Sequence, residues 1–273
     1  MPHPALLASD HDAFNGNRQD FSAYNVRSSF RRHISMTESV RLSKRVAELF
    51  ACSRSEAEQY IEGGWVTVDG VVVEEPGFRV AQQTIALLPD ASPTPPEPVT
   101  FLFHKPAGMD TLAIDPAQLL TPALRDAGDR SGVRLLKRHV ASLTLTDALE
   151  TEASGLLVFT QDWRIKRKLV DDAAKVEHEF IVDVTGELAP YGLALLNHGL
   201  SWNGKPLPPI KVSWQSEHRL RFALKSPPRG LISHMCAKVG LQVTAMKRLR
   251  IGRVPMAGLP QGRWRFLHDH ERF

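Results

Sequence analysis

An α+β fold in two modules is predicted by three features of the 273-residue sequence. Between residues 41 and 88, apolar residues switch from helical to alternating spacing. Beyond residue 99, strand-like runs outnumber helical ones and adjoin without a βαβ rhythm, which favours a largely antiparallel sheet. Between the two lies Pro89-Asp90-Ala91-Ser92-Pro93-Thr94-Pro95-Pro96-Glu97-Pro98, whose five prolines favour an extended polyproline II spacer over a packed element.

In the first module Leu42, Val46, Leu49 and Phe50 mark one helix, and Ser53 is placed to cap a second that carries Ala57, Tyr60 and Ile61. Gly63-Gly64 ends it. Trp65 to Val68, a turn at Asp69-Gly70, and Val71 to Val73 read as a hairpin, with Ile85 to Leu88 as a further strand. Arg41, Lys44, Arg45 and Arg54 lie on or beside the helices, either as a basic face for a phosphate backbone or as an ordinary solvated face. Residues 1–36 lack apolar periodicity and read as a disordered basic arm, with Met36 an alternative start.

The second module opens with a strand, Val99 to Phe103, that turns at Pro106 and Gly108. Lys105 therefore sits at a strand end, where it can meet a phosphate, a carboxylate or water. A short helix is expected around Ala117 to Ala127, followed by a basic knot at Lys137, Arg138 and His139. Glu150 and Glu152 fall on a turn before the apolar run Leu156 to Phe159, with Gly155 suited to a positive φ or a close backbone approach. A carboxylate on such a turn is either aimed into a cleft or merely solvated. Asp162 to Val170 reads as a helix with Trp163, Ile165 and Leu169 inward. Strands are expected at Phe180 to Val184, Val212 to Trp214 and Leu220 to Leu224, a hairpin at Trp202 to Pro209, and helices at Leu188 to Leu196 and Gly230 to Val239. In Val243 to Gly252, Lys247, Arg248, Arg250 and nearby Arg253 alternate with apolar residues, a strand basic on one face. Trp264 to Leu267 closes the module, and residues 268–273 read as a frayed tail; a weak metal site at His268-Asp269-His270 is the alternative.

A net charge of +4 favours polyanions as partners. Two cysteines exclude a disulfide framework, and no Cys/His spacing suits zinc. No run approaches membrane-span length and the N-terminus lacks a signal-peptide pattern, so a cytoplasmic protein without membrane contact is expected.

Arg41-Leu42-Ser43-Lys44, Ser53-Arg54-Ser55-Glu56-Ala57, Tyr60-Ile61 and Gly64 through Gly70 together resemble the S4 RNA-binding domain. The resemblance implies that residues 37–88 dock structured RNA, with Arg41, Lys44 and Arg54 as contacts. Behind it come Lys105-Pro106-Ala107-Gly108, Leu149-Glu150, Gly155 through Thr160, Met235-Cys236, Gly240 through Val243, Lys247 through Gly252 and Gly258 through Trp264. In this order they resemble the RsuA/RluB/RluE/RluF family of RNA pseudouridine synthases, over residues 99–267. The family implies isomerisation of a flipped-out uridine in structured RNA, ribosomal RNA foremost, with no cofactor or metal; the tethered first module suggests a monomer. One aspartate acts at the sugar, an arginine pairs with it, and an aromatic ring stacks on the base. Lys105, Arg229, Lys247, Arg248 and Arg250 are the expected RNA contacts of this module.

The sequence departs from the family at the site itself. Counted from Gly155, Arg-Leu-Asp becomes Ala148-Leu149-Glu150; the stacking tyrosine becomes Phe180, and the lysine two places before it His178. Gln-Ile-Arg-Arg-Met becomes Leu231-Ile232-Ser233-His234-Met235. Glutamate reaches about 1.5 Å further than aspartate, and a misplacement of about 1 Å costs on the order of 10²-fold in rate. Two functions are therefore expected in competition. One is a synthase using Glu150, with Lys105 or Arg229 supplying the missing cation. The other is an RNA-binding protein that keeps the scaffold without the chemistry.

Overall fold

The computed structural model describes residues 39–273; the expected basic arm and Met36 lie outside them. In the first module, β1 (Val40–Arg41) leads into α1 (Leu42–Leu49), which buries Leu42 and Val46. A capping box starts α2 (Arg54–Glu62): Ser53 Oγ accepts from Glu56 N at 3.2 Å, and Ser53 N donates to Glu56 Oε2 at 2.8 Å. Strand β2 (Val66–Val68) forms the centre of a three-stranded sheet between β3 (Val71–Val72) and β5 (Ile85–Leu87). Strand β4 (Arg79–Val80) pairs instead with β1. Asp69 and Gly70 both take positive φ in the β2–β3 turn, as a tight hairpin requires. Leu42, Val46, Ala57, Ile61, Val66 and Val80 make a core of their own.

The second module is built on a nine-stranded sheet. Its strands are β6 (Thr100–Lys105), β7 (Thr144–Leu145), β8 (Ser154–Thr160), β9 (Glu177–Gly186), β12 (Lys211–Ser216), β13 (Arg219–Lys225), β14 (Leu241–Ile251), β15 (Val254–Pro255) and β16 (Trp264–Phe266). The hairpin β10 (Ser201–Trp202) and β11 (Lys205–Pro206) stands apart. The main path runs β12-β13-β9-β14-β8-β6-β16, with β15 on β14 and β7 on β8. Every strand pair in it is antiparallel except β14 with β8. Phe101, Phe103, Leu157 and Phe159 face one buried layer, and Leu102, Leu156 and Val158 the other. Both faces of β6 and β8 are covered, which is why their sequences read as continuous apolar runs.

Several expected elements are corrected. The helix placed at 117–127 is only α3 (Pro116–Leu119) and a 3-10 turn (Pro122–Leu124), because Pro122 cannot continue the first. Helix α5 (Gly192–Asn197) starts later than expected, after Pro190 and a left-handed Tyr191. In α4 (Trp163–Lys166) Trp163 points outward and is 64% exposed. The C-terminal residues are packed, not frayed: Phe273 joins the second buried layer, and Glu271 accepts from Arg265 Nη1 and Nη2 at 2.6 and 2.7 Å. Among the described residues no group of three or more metal-ligating side chains gathers, and no helix is long and apolar enough to cross a membrane.

The two modules are docked as well as linked. Arg134 donates to Gly63 O and lies 4.8 Å over the Trp65 ring. Lys137 pairs with Glu75 at 2.9 Å, and its backbone N donates to Glu74; Arg138 pairs with Glu62 at 2.9 Å. The basic knot at 137–139 thus meets acids of the first module, and its His139 is buried.

Candidate active site

The turn before β8 is held from below by Lys105. This lysine closes β6 opposite Gly155, and its side chain is fully buried. Its ammonium donates to Thr151 O at 2.8 Å, Ala153 O at 2.5 Å and Pro106 O at 3.0 Å. Burial pushes its pKa down, opposed by the nearby Glu152 and Glu150 carboxylates. The expectation that Lys105 touches RNA is corrected: all three of its donors are spent on carbonyls around the turn. Thr111 Oγ1 also binds Leu149 O at 2.9 Å, and Gly108 N binds Thr151 O at 2.8 Å.

Gly155 sits at φ +120°, where an added Cβ would meet Arg248 O at 2.3 Å and Arg248 N at 2.4 Å. Only glycine lets β14 approach β8 this closely in parallel. The approach carries Arg248 into the interior, where it is 1% exposed. Its Nε donates to Leu156 O at 2.8 Å, Nη1 to Asp147 Oδ2 at 2.5 Å and Nη2 to Asp147 O at 3.2 Å. Burial lowers its pKa, while Asp147 first and then Glu150 raise it. Arg250 is committed too, to Glu177 at 2.7 Å and Glu179 at 3.0 Å. The expected one-sided basic strand is therefore corrected at both positions: register shifts near Val243 and Arg248 break its alternation, leaving Arg248 inside and Arg250 ion-paired. Lys247 remains partly exposed and Arg229 exposed.

Glu150 is partly buried and aimed into this site. Its Oε1 accepts from Gly230 N at 2.7 Å, at the start of α6 (Leu231–Lys238), where the helix dipole favours negative charge. Phe180, Ile232, Arg229, Arg248 and Pro227-Pro228 enclose the hollow beside it. Its free volume of about 10 Å³ admits one water at most. Phe180 is 2% exposed and forms part of the core as well as the wall. Ala148 lines the hollow without a charge, and Ser233 is exposed. Sequence reasoning missed Asp147 and the Gly230 N–H. The first precedes the residues that carry the resemblance, and a backbone donor leaves no trace in residue type.

His178 completes the cluster, with Nδ1 3.4 Å from Asp147 Oδ2 and no hydrogen-bond partner. Burial first, then Arg248 and Arg250, pull its pKa to about 3, so it is neutral at physiological pH. In the first module Arg41, Lys44 and Arg54 are all exposed, and Arg54 pairs with Glu58 at 3.1 Å.

Comparison with known proteins bears on both modules. Residues 40–84 match the S4 domain family. Over 85% of its length the chain is similar to an uncharacterized RNA pseudouridine synthase of Aquifex aeolicus (strain VF5), at 27% identity with 94% of that relative covered. It is also similar, over 85% of its length, to the dual-specificity RNA pseudouridine synthase RluF of Escherichia coli (strain K12), at 26% identity with 77% covered. The ribosomal large subunit pseudouridine synthase B of Bacillus subtilis (strain 168) shares 25% identity over 85% of this chain and 93% of its own. A crystal structure of a pseudouridylate synthase superposes with a TM-score of 0.51 at 20% identity, covering 84% of this chain and 96% of that one. The α+β fold and the resemblance read from the sequence are borne out.

Proposed function

We propose that this chain is an RNA pseudouridine synthase that isomerises uridine in structured RNA, with Glu150 as the carboxylate acting at the sugar. The observation carrying this reading is the Glu150 carboxylate itself, directed into a walled hollow and held at 2.7 Å by Gly230 N–H. That backbone donor at the N-terminus of α6 takes the place of the arginine that position 148 lacks, fixing one carboxylate oxygen. The bond from ribose C1′ to N1 breaks, C1′ bonds to C5, the C5 proton leaves and N1 ends protonated, so the reaction needs no oxidant, metal or cofactor. Phe180 offers its ring to the extruded base. Because the hollow holds about 10 Å³, a base is admitted by displacing the exposed Pro228-Arg229 segment. Arg41, Lys44 and Arg54 of residues 37–88, with Arg229 and Lys247 of residues 99–267, remain to hold the RNA backbone. We take the substrate as ribosomal RNA and the protein as a cytoplasmic monomer.

A second reading, an RNA-binding protein without chemistry, is favoured by one observation: the buried guanidinium of Arg248 is spent on Asp147, and among the described residues no arginine hydrogen-bonds to Glu150. The two separate when purified protein is incubated with total RNA and carbon-linked uridine isomers are mapped by chemical adduct. Product made by the wild type and lost in Glu150→Ala, with RNA affinity unchanged, supports the synthase. Product undiminished in the variant rules out Glu150, and none from the wild type leaves the binding protein.

A further inference from the structure

We propose that the turn bearing Trp163, Arg164, Lys166, Arg167 and Lys168 is a docking surface for a single-stranded RNA segment flanking the target uridine. The inference rests on RNA being the partner. It starts from a corrected expectation: Trp163 is expected inward with Ile165 and Leu169, yet only the latter two pack onto the second buried layer, since at about 100° per residue Trp163 lies about 200° round the helix from Ile165. Asp162 Oδ1 caps α4 by accepting from Arg164 N at 2.8 Å, and the chain then widens into a π-helical turn over Arg167–Asp171. Trp163 is left 64% exposed, its one ring contact among the described residues being the Arg164 guanidinium at 6.0 Å. Its indole face is thus open to a stacking partner.

The charges around it point the same way. Asp162 lies 3.6 Å from Arg164 and Asp172 takes Lys175 at 2.7 Å. Lys166, Arg167 and Lys168 are exposed, and Arg167 shares the field of Asp172. An exposed aromatic face, a guanidinium beside it and a run of exposed cations form the combination that binds single strands, bases stacking while cations follow the backbone. An anionic lipid surface would use the cations alike but has no base to stack.

The position sets the length of RNA required. Strand β8 runs from the Glu150 turn to this one through seven residues, roughly 20 Å at about 3.3 Å per residue. At about 3.4 Å per nucleotide step, an RNA reaching both continues about six nucleotides beyond the target.

The test is fluorescence anisotropy with a labelled RNA stem-loop, with and without a single-stranded extension of about ten nucleotides. The proteins are the wild type, Trp163→Phe, Trp163→Ala and the triple variant K166E/R167E/K168E. The extension should tighten binding by the wild type and by Trp163→Phe, which keeps a stacking ring. Trp163→Ala should weaken binding of the extended RNA roughly 5- to 150-fold and leave the bare stem-loop unaffected. The triple variant should lower the slope of log affinity against log salt by about 2 for the extended RNA. Wild-type affinity of Trp163→Ala for the extended RNA overturns the proposal. Equal losses with both RNAs overturn it too, as does Trp163-dependent binding to phosphatidylserine vesicles without a matching effect on RNA. Uridine isomerisation in the bare stem-loop is scored separately, so a protein without activity sinks the synthase reading while the binding measurements still decide this one.

Discussion

Asp147 holds the guanidinium of Arg248 at two points, side chain and backbone carbonyl, so the buried cation beside Glu150 is already neutralised by a different acid. Arg248 is 1% exposed, whereas Asp147 keeps a quarter of its side chain in solvent. Removing one partner of such a pair leaves a buried charge uncompensated, at a cost of about 3–5 kcal/mol, while replacing both with apolar groups is far milder. Asp147→Ala is therefore expected to lower the denaturant midpoint strongly. The double variant Asp147→Leu/Arg248→Met should recover most of that loss. Urea unfolding of the three proteins checks the ordering, and a double variant no better than Asp147→Ala contradicts it.

Lys105 offers a second separation of roles, because its ammonium is bound to the turn that carries Glu150 and is closed to RNA. Lys105→Met keeps the apolar stem but leaves the Ala153 carbonyl without its donor, and Thr151 O with Gly108 N alone. A buried unsatisfied group costs about 1–3 kcal/mol, and loosening the turn by about 1 Å costs on the order of 10²-fold in rate. The expected outcome is a large fall in uridine isomerisation with RNA affinity nearly unchanged. Equilibrium binding run beside turnover decides, since a phosphate contact would lose affinity and its salt dependence together.

What the sequence conveyed divides along physical lines. The Ser53 cap, the Asp69-Gly70 turn and the strands β6 and β8 were legible because each follows from local residue chemistry. Gly155 was legible as a close approach, although what approaches it, the Arg248 backbone, comes from 93 positions away and leaves no local signal. Charge misled most. Lys105 and Arg248 read as cations for RNA and the 137–139 knot as an RNA contact or plain surface, yet carbonyls, Asp147 and the first module's acids consume them. A basic residue looks the same in sequence whether its partner is a phosphate or a carboxylate brought in by the fold. Trp163 shows the opposite error: it stands two residues before Ile165, which on a helix puts the two on opposite faces, so its outward position follows from the spacing itself.

Acid should weaken the fold through two histidines held neutral. His178 is depressed to about 3 by burial, then Arg248 and Arg250; His139 to about 4 by burial, then Arg138. Each takes up a proton in the unfolded chain near its ordinary pKa of about 6.5 but resists it when folded. Stability is thus unaffected above that value and falls as pH drops, until the folded pKa is reached. The slope is on the order of 1.4 kcal/mol per pH unit for each histidine inside its window. Denaturant midpoints at pH 7 and pH 5 should differ in the wild type, and less in His178→Gln. An identical pH dependence in that variant would show that His178 titrates normally.

The docking of the first module on the second depends most on Arg134, which stacks on Trp65 and donates to Gly63 O, while Lys137–Glu75 and Arg138–Glu62 are solvent-exposed pairs. Exposed ion pairs contribute little and are screened by salt, whereas a cation–π contact at an exposed site is worth about 0.5–1 kcal/mol and is less geometry-demanding. Arg134→Ala should therefore release the first module more than Glu62→Gln or Glu75→Gln does. Residues 89–98 carry no helix or strand and join the modules, so release should bare them to protease. Limited proteolysis is expected to cut this segment about 2- to 5-fold faster in Arg134→Ala, the fold-change that such a contact energy gives. Raising the salt should accelerate cleavage of the wild type only slightly. Equal cleavage of the wild type and Arg134→Ala would mean that the prolines alone set the spacing of the modules.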